Sequence, residues 1–432
     1  MENEVRVGLI GLGVIGGQVA KVLQEKAGEL SLQAGISIKL HKIKVLTSDL
    51  EKPLVKQFPP DLFTTNDEDF FNDESIRIVI ELIGGERPAY DYISAALKAG
   101  KHVVTANKEV IAKHGLELRS LAHEHGASLY YEASVGGGIP IIAPLEKDLR
   151  ANYIKSIHAI INGTTNYILT RMSKDGIDFD RALANAKQLG YAEANPKNDI
   201  EGIDAAYKIA IMATLAFQTE VRPDGVYHEG ISKLDSRDFR YAGELGYEIK
   251  LLAIAKQYDN TVEARVHPAF IRRDSVLAGI NGVFNAVSIE GDLVGQVVFI
   301  GQGAGPLATS SAVISDVLRC SRDYVLGTNT SAIKISTSKT VQPITNVNTR
   351  YYMRLSILDS TGVLAAIARV LGAHKISIAS VIQKETDTLS QTAEIVIMTH
   401  PATGRAIDAA IKELSMLDLV KEINNVIRVE EQ

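Results

Sequence analysis

Short apolar runs alternate with amphipathic stretches along the first third of the chain. VRVGLI is followed by a glycine turn and by IGGQVAKVLQEK, whose apolar positions repeat with a helical period. Later apolar runs of the same kind are IKVLTSD, IRIVIELIGG and KHVVT. Apolar runs that are bounded by glycine or polar residues and separated by helical patterns indicate buried parallel strands joined by helices. The pattern therefore predicts an α/β domain with a parallel sheet over residues 1–145.

The pattern changes twice after that domain. Residues 146–304 mix helical stretches with strand-like runs such as YEIKLLAIAKQ, which predicts an α+β open sheet packed on helices. We expect a linker at 323–347. Over 348–432 the order becomes strand, helix, two strands, helix and strand, which is the ferredoxin-like βαββαβ arrangement. In its first helix, the residues predicted to share one face are Leu364, Ile367 and Leu371.

The glycine turn after the first strand carries a dinucleotide-binding motif. Gly11, Gly13 and Gly16 form G-x-G-x-x-G, with Val14 and Ile15 between the last two glycines. The first glycine permits the tight turn, the second lets a pyrophosphate approach the backbone, and the third lets helix and strand pack closely. We therefore expect a Rossmann-type domain that binds NAD or NADP through these five residues.

Two other stretches should contact the cofactor. The second strand, predicted as IKVLTSD, should end at the adenosine ribose, where Ser48 stands instead of a clear acidic residue or arginine. The choice between NAD and NADP stays open. The turn Thr105-Ala106-Asn107-Lys108 follows a strand and should face the nicotinamide, because loops that leave the carboxyl ends of parallel strands line the ligand crevice. Position alone also allows Lys108 to be a surface lysine at a helix start.

Polar residues crowd the segment from Ala186 to Lys208, and the helix after Gly202 is apolar. Asp204 and Lys208 are four residues apart, so they share a helix face within reach of each other. A surface ion pair would fit this spacing too. The nearby carboxylate of Glu193 and the apolar helix favour a different interpretation, in which the lysine is a general acid whose proton affinity depends on burial and neighbours.

A second polar turn precedes another predicted helix, at INGTTNYILTRM. Thr164 or Thr165 is predicted to cap this helix. A free helix N-terminus beside Gly163 and Thr164 would suit the carboxylate of an amino-acid substrate. A simple capped helix explains the same residues.

Composition narrows the class of protein. The chain has 432 residues, 46% hydrophobic and 23% charged, with a net charge of −6. An acidic chain without a basic stripe is not expected to bind nucleic acid. The single Cys320 excludes an intramolecular disulfide and a Cys-rich metal site. Without a signal peptide or a run long enough to span a bilayer, we expect a cytoplasmic protein with no membrane partner.

The segment from Ala186 to Lys208 is similar to the signature of homoserine dehydrogenases. Its spacing, A-x3-G-Y-A-E-x-N-P-x2-D-I-x-G-x-D-x3-K, is matched without a gap. The resemblance spans nearly the whole chain and implies the reversible NAD(P)-dependent interconversion of L-homoserine and L-aspartate 4-semialdehyde, a step in the biosynthesis of threonine, methionine and isoleucine. The order of segments implies the monofunctional form, without a fused aspartate kinase.

The resemblance also implies roles for particular residues. Lys208, or Lys108 in the matching TANK turn, would donate the proton or stabilise the developing oxyanion. Glu193 and Asp204 would hold the substrate ammonium or hydroxyl, and Asp199 would orient Lys208. The turn at Gly303 would close over the nicotinamide and lead into a helix, at about 305–322, that completes the first domain. Residues 146–304 would then form the substrate and dimerisation domain.

A cation site follows from the same resemblance. SLYYEASVGGGIPII is a strand that runs into three glycines, whose backbone carbonyls could bind a hard cation, although the residues alone favour a plain flexible turn. Related enzymes hold a structural sodium ion here through carbonyls. The matching residues are Glu132, Val135, Gly137 and Ile139.

The C-terminal βαββαβ pattern resembles an ACT domain, an amino-acid-binding regulatory module. The motif D-x-x-G-V-L runs from Asp359 to Leu364, with Thr361 where a proline is usual. Family habit implies L-threonine as the effector and a homodimer or homotetramer; an oligomerisation domain without a ligand is the alternative. Two other functions remain open: a dehydrogenase of another small amino-acid aldehyde, and a non-catalytic nucleotide and amino-acid sensor.

Overall fold

The computed structural model describes residues 4–328, 335, 339–387 and 392–431. The strands are β1 (Glu4–Ile10), β2 (Ser37–Lys44), β3 (Phe63–Thr64), β4 (Ile76–Glu81), β5 (His102–Thr105), β6 (Leu129–Tyr130), β7 (Ile154–Ile160), β8 (Tyr227–His228), β9 (Tyr247–Gln257), β10 (Thr261–Arg272), β11 (Phe284–Gly291), β12 (Gly295–Gln302), β13 (Thr340–Val341), β14 (Asn348–Leu358), β15 (Ile378–Asp387), β16 (Thr392–Thr399), β17 (Ala402–Thr403) and β18 (Val420–Glu430). The helices are α1 (Val14–Glu25), α2 (Ala27–Ala34), α3 (Asp67–Phe71), α4 (Ala89–Lys98), α5 (Lys108–Glu124), α6 (Ile142–Glu146), α7 (Gly163–Asp175), α8 (Phe179–Gln188), α9 (Lys197–Ile200), α10 (Ile203–Phe217), α11 (Ser236–Glu244), α12 (Pro306–Leu326), α13 (Val363–Ala373) and α14 (Gly404–Leu414).

Contacts divide the chain into two units. The first consists of Met1–Ile154, Ala210–Pro223 and Gly291–Thr337, and the second of Lys155–Ile209, Asp224–Glu290 and Ser338–Gln432. None of the helices in the described part of the chain combines the length and the apolar character that crossing a bilayer requires.

The first unit is built on a parallel six-stranded sheet. Its strand order is β3-β2-β1-β4-β5-β6, and the paired strands run parallel. This order is that of a Rossmann fold, so the predicted fold is confirmed for this part of the chain. The order reverses between β1 and β4, which is where such sheets bind dinucleotides.

Helix α12 packs into the core of this sheet although it lies far along the chain. Its buried Val313, Val317 and Cys320 belong to the same hydrophobic cluster as Val7 and Leu9 of β1. The burial of these apolar side chains holds the helix against the nucleotide-binding half of the unit. The residues predicted to return to the first domain therefore lie in its core.

The second strand differs from its prediction. It spans Ser37–Lys44, and the predicted end at 47–49 is instead a short 3₁₀ turn, Thr47–Asp49. SIKLHKIK alternates polar and apolar residues, and Ile38, Leu40 and Ile43 are buried. Alternation of this kind is the pattern of a strand, and the prediction began too late because it required an unbroken apolar run.

The second unit contains a mixed sheet that continues into the C-terminal domain. Its strands are ordered β11-β7-β9-β10-β18-β14-β16-β15. The last four give the strand order of a ferredoxin-like βαββαβ fold, which confirms the ACT-type prediction. β18 also pairs in parallel with β10, with Phe270 opposite Val429. The C-terminal domain therefore extends the substrate sheet.

Two details of the C-terminal part differ from their predictions. The buried face of α13 is formed by Val363, Ile367, Val370 and Leu371, whereas Leu364 is 44% exposed. Val363 lies one helical turn before Ile367, so it takes the inward position that was predicted for Leu364. Of the predicted linker 323–347, residues 323–326 belong to α12, 340–341 form β13 against β10, and 329–334 and 336–338 lie outside the described residues.

Candidate active site

Lys208 and Asp204 form a buried ion pair on α10. Lys208 Nζ lies 2.7 Å from Asp204 Oδ2, and the two residues are 9% and 3% exposed. Nζ also donates to the carbonyl oxygen of Ile161 at 2.8 Å. An ammonium group has three N–H donors, and these two bonds fix its direction. The pair that was predicted from helical spacing is therefore a buried site and not a surface ion pair.

Asn162 connects this pair to a second carboxylate. Its Nδ2 donates to Asp204 Oδ2 at 2.9 Å and to Asp199 Oδ1 at 2.7 Å. Its Oδ1 accepts from the backbone N–H of Thr165 at 2.9 Å. Asp199 was predicted to orient Lys208, and these hydrogen bonds link it to the lysine through Asn162 and Asp204.

The cap of α7 is Asn162, so the prediction of Thr164 or Thr165 as the cap was wrong. The helix begins at Gly163, two or three residues earlier than a cap at Thr164 or Thr165 predicts, and asparagine is as good a cap as threonine or better. Thr164 has another partner, since its hydroxyl donates to the carbonyl oxygen of Tyr191 at 2.6 Å. The start of α7 is thereby joined to the loop that carries Glu193.

Glu193 lies exposed on that loop, just before α9. Among the residues that the structure describes, none hydrogen-bonds its carboxylate, in contrast to the buried Asp204. Gly163 packs against the start of β11: a Cβ on it would lie 3.0 Å from the carbonyl oxygen of Val283, the residue before the strand, and 3.7 Å from Oδ1 of the buried Asn285. The structure thus gathers Gly163, Thr164, Asp199, Asp204 and Lys208 around two helix starts.

The glycine motif forms an open cradle between β1 and α1 in the first unit. Gly11 has φ +93°, and a Cβ on Gly16 would overlap the carbonyl oxygen of Gly11. A Cβ on Gly13 would meet no described atom within 4 Å, so the space above it is open. Gly13 precedes α1 without a side-chain cap, and Val14 is 73% exposed. An uncapped helix N-terminus beside open backbone suits a pyrophosphate.

The remaining predicted cofactor residues lie at the carboxyl ends of the strands. Ser48 is exposed on the 3₁₀ turn after β2, where Lys52 pairs with Asp49 at 2.5 Å. Thr105 is buried at the end of β5, Ala106 and Lys108 are half-buried, and Lys108 is the first residue of α5. Ile15 is half-buried on α1. Their roles toward a cofactor stay predictions.

The predicted cation residues form a tight turn after β6. The Glu132 carboxylate accepts three backbone N–H groups, from Ile141 at 2.6 Å, Ile142 at 2.8 Å and Ala143 at 2.8 Å. The Glu132 side chain therefore caps α6. Its backbone carbonyl oxygen is the atom that belongs to the predicted set of cation ligands. The carbonyl oxygens of Val135, Gly137 and Ile139 accept no hydrogen bond from the described residues.

This turn meets the glycine-rich loop before α12. Gly137 has φ +57°, and a Cβ on it would lie 2.5 Å from the carbonyl oxygen of Gly303. Only glycine permits both this backbone conformation and this approach. Gly303 and Gly137 therefore lie side by side in the first unit. Carbonyl oxygens without a partner in a buried turn are the ligands that a hard cation prefers.

Sequence reasoning missed Asn162, Ile161 and Glu81. Asn162 could have been found from INGTT, since an asparagine before a glycine is a common helix cap. The carbonyl of Ile161 carries no sequence signal, because any residue supplies it. Glu81, buried at the end of β4, bonds to Thr105 Oγ1 at 2.5 Å, and an acid that ends an apolar strand was the available signal.

Three family models match the chain in succession. They are the NAD-binding domain of homoserine dehydrogenase at residues 11–132, homoserine dehydrogenase at 140–318, and the ACT domain at 351–415. Together with the Rossmann-type sheet and the buried ion pair of Lys208 and Asp204, they define an NAD(P)-dependent oxidoreductase that carries an ACT domain.

Relatives of known name and structure cover the full length. Homoserine dehydrogenase of Synechocystis is 43% identical over 98% of this chain and 99% of its own. That of Bacillus subtilis is 36% identical over 99% and 98%. The crystal structure of the Thiobacillus denitrificans homoserine dehydrogenase superposes with a TM-score of 0.93 at 40% identity, covering 99% and 98%. The chain belongs to the homoserine dehydrogenase family.

An archaeal relative lacks a counterpart of part of this chain. The hyperthermophilic archaeal homoserine dehydrogenase in complex with NADPH matches with a TM-score of 0.63 at 27% identity, and covers 73% of this chain and 97% of its own. The family fold can therefore be shorter than the present chain.

Proposed function

We propose that the protein catalyses the reversible interconversion of L-homoserine and L-aspartate 4-semialdehyde with NAD or NADP, in the biosynthesis of threonine, methionine and isoleucine. The observation that carries the proposal is the buried Lys208, held by Asp204 and the Ile161 carbonyl within the segment that matches the family signature. A nucleotide and amino-acid sensor would have no use for a lysine fixed in this way.

Lys208 is the proposed proton donor. When bound, the nicotinamide supplies a hydride to the aldehyde carbon, and negative charge develops on the aldehyde oxygen. Lys208 Nζ gives its proton to that oxygen, and in the reverse direction it takes the proton from the substrate hydroxyl. The ion pair with Asp204 and the bond to Ile161 keep Nζ in one direction throughout, which lowers the cost of orientation. Lys108, at the start of α5, is the second candidate.

The substrate's charged ends are proposed to lie on two helix starts. Glu193 and Asp204 hold the ammonium or hydroxyl group, and the exposed Glu193 carboxylate can reach a ligand without losing an existing bond. The amides of Gly163 and Thr164, in the first turn of α7, receive the carboxylate, as helix N-termini favour anions. Asp199 positions the Lys208 ammonium group through Asn162 and Asp204.

The cofactor is proposed to occupy the cradle at Gly11, Gly13 and Gly16, with Val14 and Ile15 at the start of α1. The open space at Gly13 and the uncapped helix support this placement. Further proposed contacts are Ser48 at the ribose and Thr105, Ala106, Lys108 and Gly303 at the nicotinamide. The NADPH complex of the archaeal relative supports NADP, and Ser48 is compatible with either cofactor.

A structural sodium ion is proposed at the turn after β6. The carbonyl oxygens of Glu132, Val135, Gly137 and Ile139 would hold it, and three of them accept no hydrogen bond from the described residues. In the described part of the chain, no group of three His, Cys, Asp or Glu side chains is placed to hold a metal. Oxygen ligands without a charged side chain suit a monovalent cation.

Regulation and assembly are proposed from the C-terminal fold. The ACT domain supports feedback control by an amino acid, for which L-threonine is the proposed effector, with Thr361 and Gly362 at the start of α13. We propose a cytoplasmic homodimer or homotetramer. Sedimentation with and without threonine tests the assembly.

Absorbance of the reduced nicotinamide tests the central proposal. L-Homoserine is supplied with NAD and, separately, with NADP, and threonine is added to each. Growth of the signal is expected with at least one cofactor, and inhibition by threonine is expected from the ACT domain. Folded protein that gives no signal with either cofactor would contradict the proposed function.

A further inference from the structure

Glu81 is an acid buried at the carboxyl end of the parallel sheet. It is the last residue of β4, its exposed fraction is 0%, and it pairs with Thr105, the last residue of β5. Acidic side chains are almost never fully buried unless their oxygens have partners. The strand ends at this edge are also where a dinucleotide binds. The complete burial of an acid at the predicted cofactor-binding edge of the sheet therefore requires a structural or functional reason.

Both carboxyl oxygens of Glu81 bond to the segments that leave these strands. Oε1 accepts from the backbone N–H of Ile83 at 2.7 Å. Oε2 accepts from the Oγ1 hydroxyl of Thr105 at 2.5 Å. The side chain thus ties the loop after β4 to the end of β5.

The same bonds continue to the first residue of α5. Thr105 Oγ1 accepts from the backbone N–H of Asn107 at 3.0 Å. Asn107 Nδ2 donates to the carbonyls of Ile83 at 3.2 Å and Gly85 at 2.8 Å, and its Oδ1 caps α5, which begins at Lys108. These bonds form a closed ring through Glu81, Thr105, Asn107 and Ile83. A change at Glu81 therefore acts directly on the turn from Thr105 to Lys108.

Glu81 can change its charge near neutral pH. Burial raises the pKa of Glu81 to about 7, against the lowering effect of the bonds from Thr105, Ile83 and Asn107. No charged side chain of the described residues is among the influences on this pKa, and β1 places Ile10 opposite Glu81. Both the neutral and the charged form are therefore populated at neutral pH.

We propose that Glu81 is a positioning residue for the nicotinamide-binding turn and that its ionisation favours the oxidised cofactor over the reduced one. The inference rests on the proposed function, because it places the nicotinamide beside Thr105 and Lys108. The oxidised ring is a cation and the reduced ring is neutral. A nearby positive charge stabilises a carboxylate, so binding of the oxidised form releases the Glu81 proton and binding of the reduced form leaves it in place.

Calorimetry on the full chain tests this inference without substrate; the chain has no tryptophan whose fluorescence could report binding. The dissociation constants of the oxidised and reduced forms of the cofactor are measured at pH 6, 7 and 8. In the wild type, the preference for the oxidised form should rise with pH, up to about tenfold between pH 6 and 8. Because a ratio is compared, ionisations of the cofactor common to both forms cancel.

Two variants separate charge from position. Glu81→Gln keeps an acceptor for Ile83 and a polar partner for Thr105 but cannot ionise, so its preference should not change with pH. Glu81→Ala removes both bonds and should bind both forms about tenfold more weakly. Asp316→Asn is the matched control, since Asp316 is another acid buried in the first unit, and this variant should follow the wild type.

The outcomes are distinct. A preference independent of pH in the wild type, or the same rise in Glu81→Gln, would overturn the role of ionisation. Wild-type affinities in Glu81→Ala would overturn the positioning role. A wild type that shows the pH-dependent preference but does not oxidise homoserine would contradict the proposed function alone, and one that binds neither form would overturn both.

Discussion

Asn162 Nδ2 donates to Asp204 Oδ2 at 2.9 Å, across 42 residues of sequence. The same oxygen accepts from Lys208 Nζ at 2.7 Å, so one carboxylate oxygen joins the start of α7 to the lysine of α10. Charge-assisted hydrogen bonds of this kind are stronger than neutral ones, and they hold a buried lysine in one orientation. The direction of the proposed proton donor therefore depends on an amide from another helix.

Replacing Asn162 should lower turnover even when α7 keeps its cap. Asn162→Ser retains a capping hydroxyl but removes the bonds to Asp199 and Asp204, so we expect kcat to fall at least tenfold with little loss of stability. Asn162→Ala should lose the cap as well, at about 1 kcal/mol. Steady-state kinetics and thermal unfolding of the two variants separate these effects. Wild-type kcat in Asn162→Ser would contradict the proposed role.

Lys208→Ala should keep cofactor affinity and lose most turnover. A missing or misplaced proton donor typically costs on the order of 100-fold or more in rate. Calorimetry with the cofactor and initial rates with homoserine measure the two properties. The matched control is Lys197→Ala, because Lys197 is an exposed lysine of the same segment. Normal turnover in Lys208→Ala would remove Lys208 from the mechanism and leave Lys108 as the candidate.

Glu193→Ala should raise the KM for homoserine more than Lys208→Ala does. Glu193 is exposed and lies on the loop that Thr164 holds through the carbonyl of Tyr191, so its proposed contact is with the ligand and not with the fold. Its loss should leave thermal stability unchanged. Equal KM values in the two variants would mean that the proposed division between substrate binding and proton transfer is incorrect.

Local parts of the site could be predicted from the sequence, and long-range parts could not. Asp204 and Lys208 lie one helical turn apart, so their pairing follows from helix geometry alone. The link from Asn162 to Asp204 depends on where the start of α7 lies relative to the start of α10, which no local pattern encodes. The sequence did suggest a functional turn at Gly163, but the cap, Asn162, lies two residues before Thr164 and three before Thr165, the predicted caps.

The same limit applies to the fold. The alternation of apolar and helical runs was enough to predict the Rossmann-type sheet and the βαββαβ domain. It did not predict that β18 would pair with β10, because both strands look complete in isolation. Leu364 shows the same limit for a single side chain. A shift of one residue along the helix decides whether a side chain faces the core, and the packing partner determines which residue does.

The junction between the substrate sheet and the ACT domain should depend on a buried ion pair. Arg354 Nε of β14 lies 2.7 Å from Asp238 Oδ1 of α11, and the residues are 1% and 0% exposed. Asp238 also accepts from Tyr352 at 3.0 Å and Asn425 at 2.7 Å. Arg354 also pairs with the buried Glu394 at 2.9 Å, so the loss of Asp238 leaves it one of two carboxylate partners. Because Tyr352 and Asn425 lose a buried acceptor as well, Asp238→Ala should lower stability by about 3 kcal/mol.

Two further variants test whether the charge itself is responsible. Replacing the buried charges together, with Asp238→Leu, Arg354→Met and Glu394→Leu, should recover part of the lost stability, since well-packed apolar residues can replace buried ionic groups. Tyr352 and Asn425 still lack their acceptor in this variant, so the recovery should be incomplete. Asp274→Ala breaks the exposed pair between Arg272 and Asp274, joined at 2.7 Å, and should change the melting temperature little. Equal effects of Asp238→Ala and Asp274→Ala would show that burial does not govern this junction.

Glu81 should also make the stability of the first unit depend on pH. Its pKa is raised by burial from 4.5 to about 7 in the folded protein, so between these values the folded state binds more protons than the unfolded state. Stability is then fully present below pH 4.5 and is lost as the pH rises toward 7. Glu81→Gln has no charge to bury, and its stability relative to the wild type should increase by roughly 3 kcal/mol from below pH 4.5 to pH 8.

Thermal unfolding of both proteins at pH 5 and pH 8 measures most of this difference, with Glu124→Gln as the control at an exposed position. If the two melting temperatures differ by the same amount at both pH values, the pKa of Glu81 is not raised in the folded protein, and its proposed influence on the cofactor loses its physical basis.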